Sequence, residues 1–137
     1  MSDGAIESRL TGLLADMNAL GRYPMSLVCT DQGLLLASAG EPLRSEITAG
    51  LTSLFDDIVA RAARDLGLQQ VDELTLSDTA AGRTIIRPLT PARGQVRLFL
   101  VVQVPPGGSW RRNTNRVVRE LLAILRPWLA SRETHHE

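Results

Sequence analysis

Residues 26–40 read SLVCTDQGLLLASAG, two apolar runs around the insert Asp31-Gln32-Gly33. An Asp-x-Gly in this setting is either a reactive corner holding a metal or phosphate, or the turn of a β-hairpin. A calcium loop would need further acids at fixed spacing, and none follows Asp31 at that spacing. Gly33 can take the positive φ of a tight turn, and Asp31 can bond its own backbone at the corner. The stretch therefore predicts a hairpin with strands over 25–30 and 34–38.

Upstream, Ile6, Leu10, Leu13, Leu14, Met17 and Leu20 recur at helical spacing and predict a helix over 5–20, with Gly21 as its stop. Downstream, Glu41-Pro42 breaks the chain before a long helix over 43–66, closed by Gly67. Its apolar face centres on Leu43, Ile47, Leu51, Leu54 and Ile58, and Phe55, Val59, Ala62 and Leu66 widen it. At about 100° per residue the arc reaches roughly 160°, more than covering one sheet requires. Beside it runs a row of short side chains, Ala49, Thr52, Asp56, Ala60 and Ala63. That row either admits a second helix closely or reflects alanine's helix propensity.

Three further runs, 71–77, 83–89 and 95–104, read as strands joined by the turn-rich linkers 78–82 and 90–94, which suggests an antiparallel meander. The last run is apolar on both faces and is expected to be central. After Pro105-Pro106-Gly107-Gly108, Ser109 is a candidate N-cap for a closing helix to about residue 130. Its buried stripe is Val117, Val118, Leu121, Leu122, Ile124, Leu125, Trp128 and Leu129, and Pro127 predicts a kink or fray in the final turn. Arg112, Arg116 and Arg119 share the opposite face, and Arg111 and Arg112 sit at the positive end of the helix dipole. This secondary basic patch is either a solvated face or a site for an acidic partner.

Composition limits the chemistry. The 137 residues suit one domain, 44% are apolar and 22% charged, and the net charge is zero. Nothing in that balance pulls the chain towards nucleic acid or an anionic membrane. There is no signal-peptide pattern and no apolar run near the roughly 18 residues of a membrane span, so a cytoplasmic protein is expected. All 15 basic residues are arginine, which excludes a standard phosphate-binding P-loop and a Schiff-base lysine. The only histidines, His135 and His136, lie in a tail (131–137) expected to be flexible, and Cys29 is the lone cysteine. No catalytic set, metal site or cofactor is expected. The acid pairs Asp56-Asp57 and Asp72-Glu73 are the remaining enzymatic option, but neighbouring acids on a helix point about 100° apart.

The order helix, strand, strand, long helix, three strands, helix resembles the Roadblock family, the dynein light-chain roadblock type, which has bacterial members. The resemblance rests on the hairpin SLVCTDQGLLLASAG, the long helix EITAGLTSLFDDIVARAARDL, the strand VRLFLVVQV and the closing amphipathic helix, and covers residues 5–130. It implies an α+β fold: a five-stranded antiparallel sheet of order 2-1-5-4-3, the long helix on one face and the terminal helices on the other. It also implies a homodimer through the long helix and third strand, which places Thr52, Phe55, Asp56, Val59, Ala62, Val71, Glu73 and Thr75 at the dimer interface. The implied role is a non-enzymatic platform for a small Ras-like GTPase, docked at Ala49, Asp56, Ala60, Ala63 and Arg64. The alternative is a ligand-sensing or scaffolding module without such a partner. The lack of lysine and the Pro-Pro-Gly-Gly insert depart from the family pattern.

Overall fold

A computed structural model describes residues 3–90 and 96–134. Its elements are α1 (Asp3–Gly21), β1 (Met25–Thr30), β2 (Leu35–Gly40), α2 (Pro42–Leu66), β3 (Leu74–Asp78), β4 (Gly82–Pro88), β5 (Leu98–Val104) and α3 (Arg111–Thr134). The strands form one antiparallel sheet of order β2-β1-β5-β4-β3, as the family resemblance implied.

The central position of β5 follows from its doubly apolar sequence. Leu98, Leu100, Val102 and Val104 point into a core shared with α1 and α3, built on Leu10, Leu14, Met17, Leu121 and Leu125. Phe99 and Val101 point the other way, into a smaller core with Met25, Leu27, Cys29, Ala49 and Ile86 beneath α2. The period of two along the strand thus assigns each side chain to one layer.

The quoted hairpin is a structural corner. Gly33 has φ +80°, and its N–H donates to the Thr30 carbonyl at 3.0 Å. The side-chain acceptor at the turn is Thr30, not Asp31 as expected: its Oγ1 accepts from the N–H groups of Gln32 and Leu34, each at 3.2 Å. A Cβ on Gly33 would lie 3.3 Å from Gly50 Cα and 3.4 Å from the Ala49 carbonyl oxygen. The glycine therefore serves both the turn and the close seating of α2.

Several boundaries differ from the sequence reading. Gly21 is the last residue of α1, and Arg22 takes the left-handed conformation (φ 58°). Tyr23 N–H then reaches back to the Asn18 carbonyl at 3.0 Å, a Schellman closure. β2 begins one residue late, at Leu35, and runs on to Gly40. β3 begins at Leu74, so Val71 and Glu73 lie in the connection before it. The N-cap of α3 is Trp110 rather than Ser109, because the Trp110 carbonyl accepts the first helical bond, from Thr114 at 2.8 Å. The helix continues through Pro127 to Thr134 instead of fraying there.

Candidate interaction surface

The 25 residues of α2 span about 37 Å, whereas the five to seven residues of each strand span roughly 17–24 Å. The helix lies mainly over β1 and β2. From Asp57 onward no described side chain of α2 is fully buried.

The face that α2 turns to the sheet is the reverse of the one expected from hydrophobic patterning. Ser45, Thr48, Ala49 and Thr52 are buried, at 0, 9, 1 and 0% exposure. The large apolar row, Ile47, Leu51, Leu54 and Ile58, is open to solvent at 58, 46, 59 and 58%. The inward hydroxyls satisfy themselves: Ser45 Oγ donates to the Glu41 carbonyl at 3.0 Å, and Thr52 Oγ1 to the Thr48 carbonyl at 2.8 Å. With its hydrogen bond closed on its own helix, a short hydroxylic side chain packs at little desolvation cost. Burial pushes the pKa of the Cys29 thiol beneath α2 up to about 12, against a smaller downward pull from Thr52. On the same inward row, Asp56 forms an ion pair with Arg97.

The residues expected at the docking and dimer surfaces therefore separate. Ala49 and Thr52 are inside the single chain, and Asp56 is occupied by Arg97, so these three do not line an outer face. Phe55 is half-buried against the smaller core. Val59, Ala62 and Ala63 are half-buried, and Ala60 and Arg64 are exposed. Arg64 pairs loosely with its neighbour Asp65, at 3.5 Å. Thr75 is on β3, the sheet edge, and its hydroxyl donates to Glu73 at 3.0 Å. Glu73 also accepts from Trp110 Nε1 at 2.9 Å, which ties it to the start of α3 rather than leaving it paired with Asp72 for chemistry.

What patterning missed is that the row Ile47, Leu51, Leu54, Ile58 faces outward. Its spacing of four, three and four is that of side chains along one helix face. The row was legible in the sequence; its side was not.

The groove between α1, β2 and α3, lined by Ile6, Leu10, Leu35, Leu36, Leu125 and Trp128, holds about 220 Å³, below the usual range of ligand pockets. Two open hollows are larger, about 310 Å³ at the β3–β4 turn and about 390 Å³ on α2 beside Asp57, Ile58, Arg61 and Ala62. Among the described residues no group of His, Cys, Asp and Glu is arranged to hold a metal, and His135 and His136 lie outside them. No helix of the described residues is long and apolar enough to cross a membrane.

The sheet order, with one long helix on one face and two terminal helices on the other, can be compared with solved structures. The chain has the Roadblock fold. It superposes on MglB of Myxococcus xanthus with a TM-score of 0.74 at 16% identity, over 88% of this chain and 90% of that one. The gliding protein MglB of Thermus thermophilus gives the same four figures. A Roadblock/LC7 domain from Streptomyces avermitilis gives a TM-score of 0.71 at 14% identity, over 88% and 97% of the two chains. No family model matches the sequence, and no curated protein matches it. The likeness is carried by the order and packing of elements, not by shared residues.

Proposed function

We propose that this Roadblock-fold chain is a non-enzymatic, cytoplasmic homodimeric platform that binds a small Ras-like GTPase and adjusts its nucleotide cycle. The observation that carries the reading is the exposed row Ile47, Leu51, Leu54 and Ile58 on α2. Four large apolar side chains in register on one helix are an interface awaiting a second body. Pairing two such rows removes them from water, and each side chain contributes on the order of 1.5–3 kcal/mol if fully buried. The β3 edge, Leu74–Asp78, carries Leu76 at 45% exposure and offers free backbone groups for strand pairing. One MglB of this fold is recorded in a tetrameric arrangement, which supports self-association as a use of the fold.

Within this reading Phe55, Val59 and Ala62 join the exposed row at the dimer seam, with Thr75 on the edge strand and Val71 beside it. Ala60 and Ala63 continue the inward phase of Ala49 and Thr52 into the stretch of α2 that overhangs the sheet, and with the exposed Arg64 they form the surface where a GTPase docks. A protein that grips one conformation of the GTPase switch loops alters hydrolysis without donating a catalytic group. The test is binding of Ras-like GTPases from the source cell, purified in GTP-analogue and GDP states, to the full chain and to Leu51→Glu/Ile58→Glu. State-dependent binding by the wild type, lost in the variant, supports the proposal. Absence of binding in both nucleotide states overturns the GTPase reading, and a wild-type monomer at micromolar concentration overturns the dimer.

A further inference from the structure

The exposed face of α3 carries a second surface, on the opposite side of the sheet from α2. Between Arg111 and Ala130 the helix holds five arginines and one acid, Glu120. Arg112, Arg116, Arg119 and Arg126 are all exposed. They fall within an arc of roughly 80°, opposite the buried row of Val117, Leu121 and Leu125, and run about 21 Å along the helix. None of the four has an ion-pair or hydrogen-bond partner among the described residues. Glu73 accepts hydrogen bonds from Trp110 Nε1, at the helix start, and from the Thr75 hydroxyl. The first turn of α3 contains no acid, so Arg111 and Arg112 face the unfavourable end of the dipole, where the one carboxylate bonded to the helix start is that of Glu73 from before β3.

We infer that this arginine ridge is a docking surface for an acidic α-helix of a partner protein, whose carboxylates align with Arg112, Arg116, Arg119 and Arg126. Charge complementarity carries the choice of an acidic partner, and a straight ridge about 21 Å long matches the length of one face of a helix of about 14 residues. Ala123 and Ala130 lie on the same ridge and leave room for a second backbone to approach. A membrane fits less well, because α3 has no large exposed apolar side chain to enter the interface. Nucleic acid fits less well, because the ridge has no exposed aromatic for stacking and the chain carries no net positive charge. Guanidinium groups also bind carboxylates in a two-pronged geometry. Because α2 and α3 cover opposite faces of the sheet, both surfaces can be filled at once; the inference does not rest on what docks at α2.

The test uses the full chain and a labelled alanine-rich helical peptide of about 20 residues, with glutamates stepped four, three and seven apart. Its control is an isomer of the same composition with the glutamates spread around the helix. Fluorescence anisotropy should show the patterned peptide binding at least tenfold tighter than its isomer, and weakening several-fold as salt rises from about 50 to 200 mM. Arg116→Glu/Arg119→Glu should lose that binding with an unchanged melting curve, and should instead bind a peptide with lysines at the same positions. Equal binding of the two isomers overturns the proposal, as does undiminished binding by the double variant. It is also overturned if phosphatidylserine vesicles or duplex DNA bind tighter than the patterned peptide through the same arginines.

Discussion

Asp56 on α2 and Arg97 just before β5 form an ion pair whose side chains are only 13% and 14% exposed. The Arg97 guanidinium also lies over the Phe99 ring, 5.4 Å from its centre. This is the one ion pair among the described residues that joins α2 to the sheet. It sits where the helix begins to overhang, on the same inward row as Ala49 and Thr52.

Removing the cation should therefore be costly in a pH-dependent way. Desolvation holds the Asp56 carboxyl above its ordinary 3.8 despite Arg97, with further upward pressure from Asp31 and Asp57. Arg97→Ala leaves the carboxylate in place without its partner and should destabilise the fold by about 3 kcal/mol at neutral pH. A raised folded pKa contributes stability that is present below the unfolded value and lost as pH rises through the folded value. The variant should thus recover part of its deficit against wild type as pH falls from 7 towards 4. Melting curves at both pH values check this, and a pH-independent deficit would refute it.

The orientation of α2 makes opposite predictions for its two rows. Thr52→Arg or Ala49→Arg should disrupt the fold, because both positions are buried against the sheet. Leu51→Glu/Ile58→Glu should leave monomer stability within about 1 kcal/mol and abolish self-association. Sedimentation should report the wild type at twice 14.9 kDa and the double variant at 14.9 kDa. A dimeric double variant would place the interface elsewhere.

At the hairpin corner, Gly33→Val combines a left-handed backbone with close contact to Ala49 and Gly50. The expected loss is at least about 1–2 kcal/mol. Asp31→Ala should cost less, since Thr30 makes the turn's hydrogen bonds. Chemical denaturation of the two variants distinguishes these roles; equal losses would mean that Asp31 also holds the turn.

The β3–β4 turn should be sensitive to acid. The Asp78 carboxylate accepts from the N–H groups of Ala80 and Ala81 at 2.8 and 2.6 Å, and these bonds hold its pKa below 3.8. A lowered folded pKa contributes stability above the unfolded value and loses it as pH falls through the folded one. Asp78→Ala should therefore lower stability at neutral pH and flatten the decline below pH 3.8. Carboxyl-carbon NMR should find Asp78 titrating below 3.8; titration at that ordinary value would remove the basis for this prediction.

The elements can be read from the residues in order. Strand β5 is apolar at every position but one and so reads as central, whereas the placing of α1 and α3 on one face of the sheet was implied by the family resemblance and not by their stripes. Equally legible are the corner at Gly33 and the lack of any lysine chemistry. The side chains of α2 were plain too, but which row faces inward was not. Hydrophobic periodicity counts apolar area and assigns the larger side to the core. It does not register that Ser45 and Thr52 close their hydroxyls onto their own helix, or that short side chains permit close seating on β1 and β2. Nor does it register that Asp56 meets Arg97, 41 residues away in sequence. The seating and the ion pair join segments far apart in the chain, so they exist only once the helix is laid on the sheet. It is they that leave Ile47, Leu51, Leu54 and Ile58 facing outward, where a local pattern would have buried them.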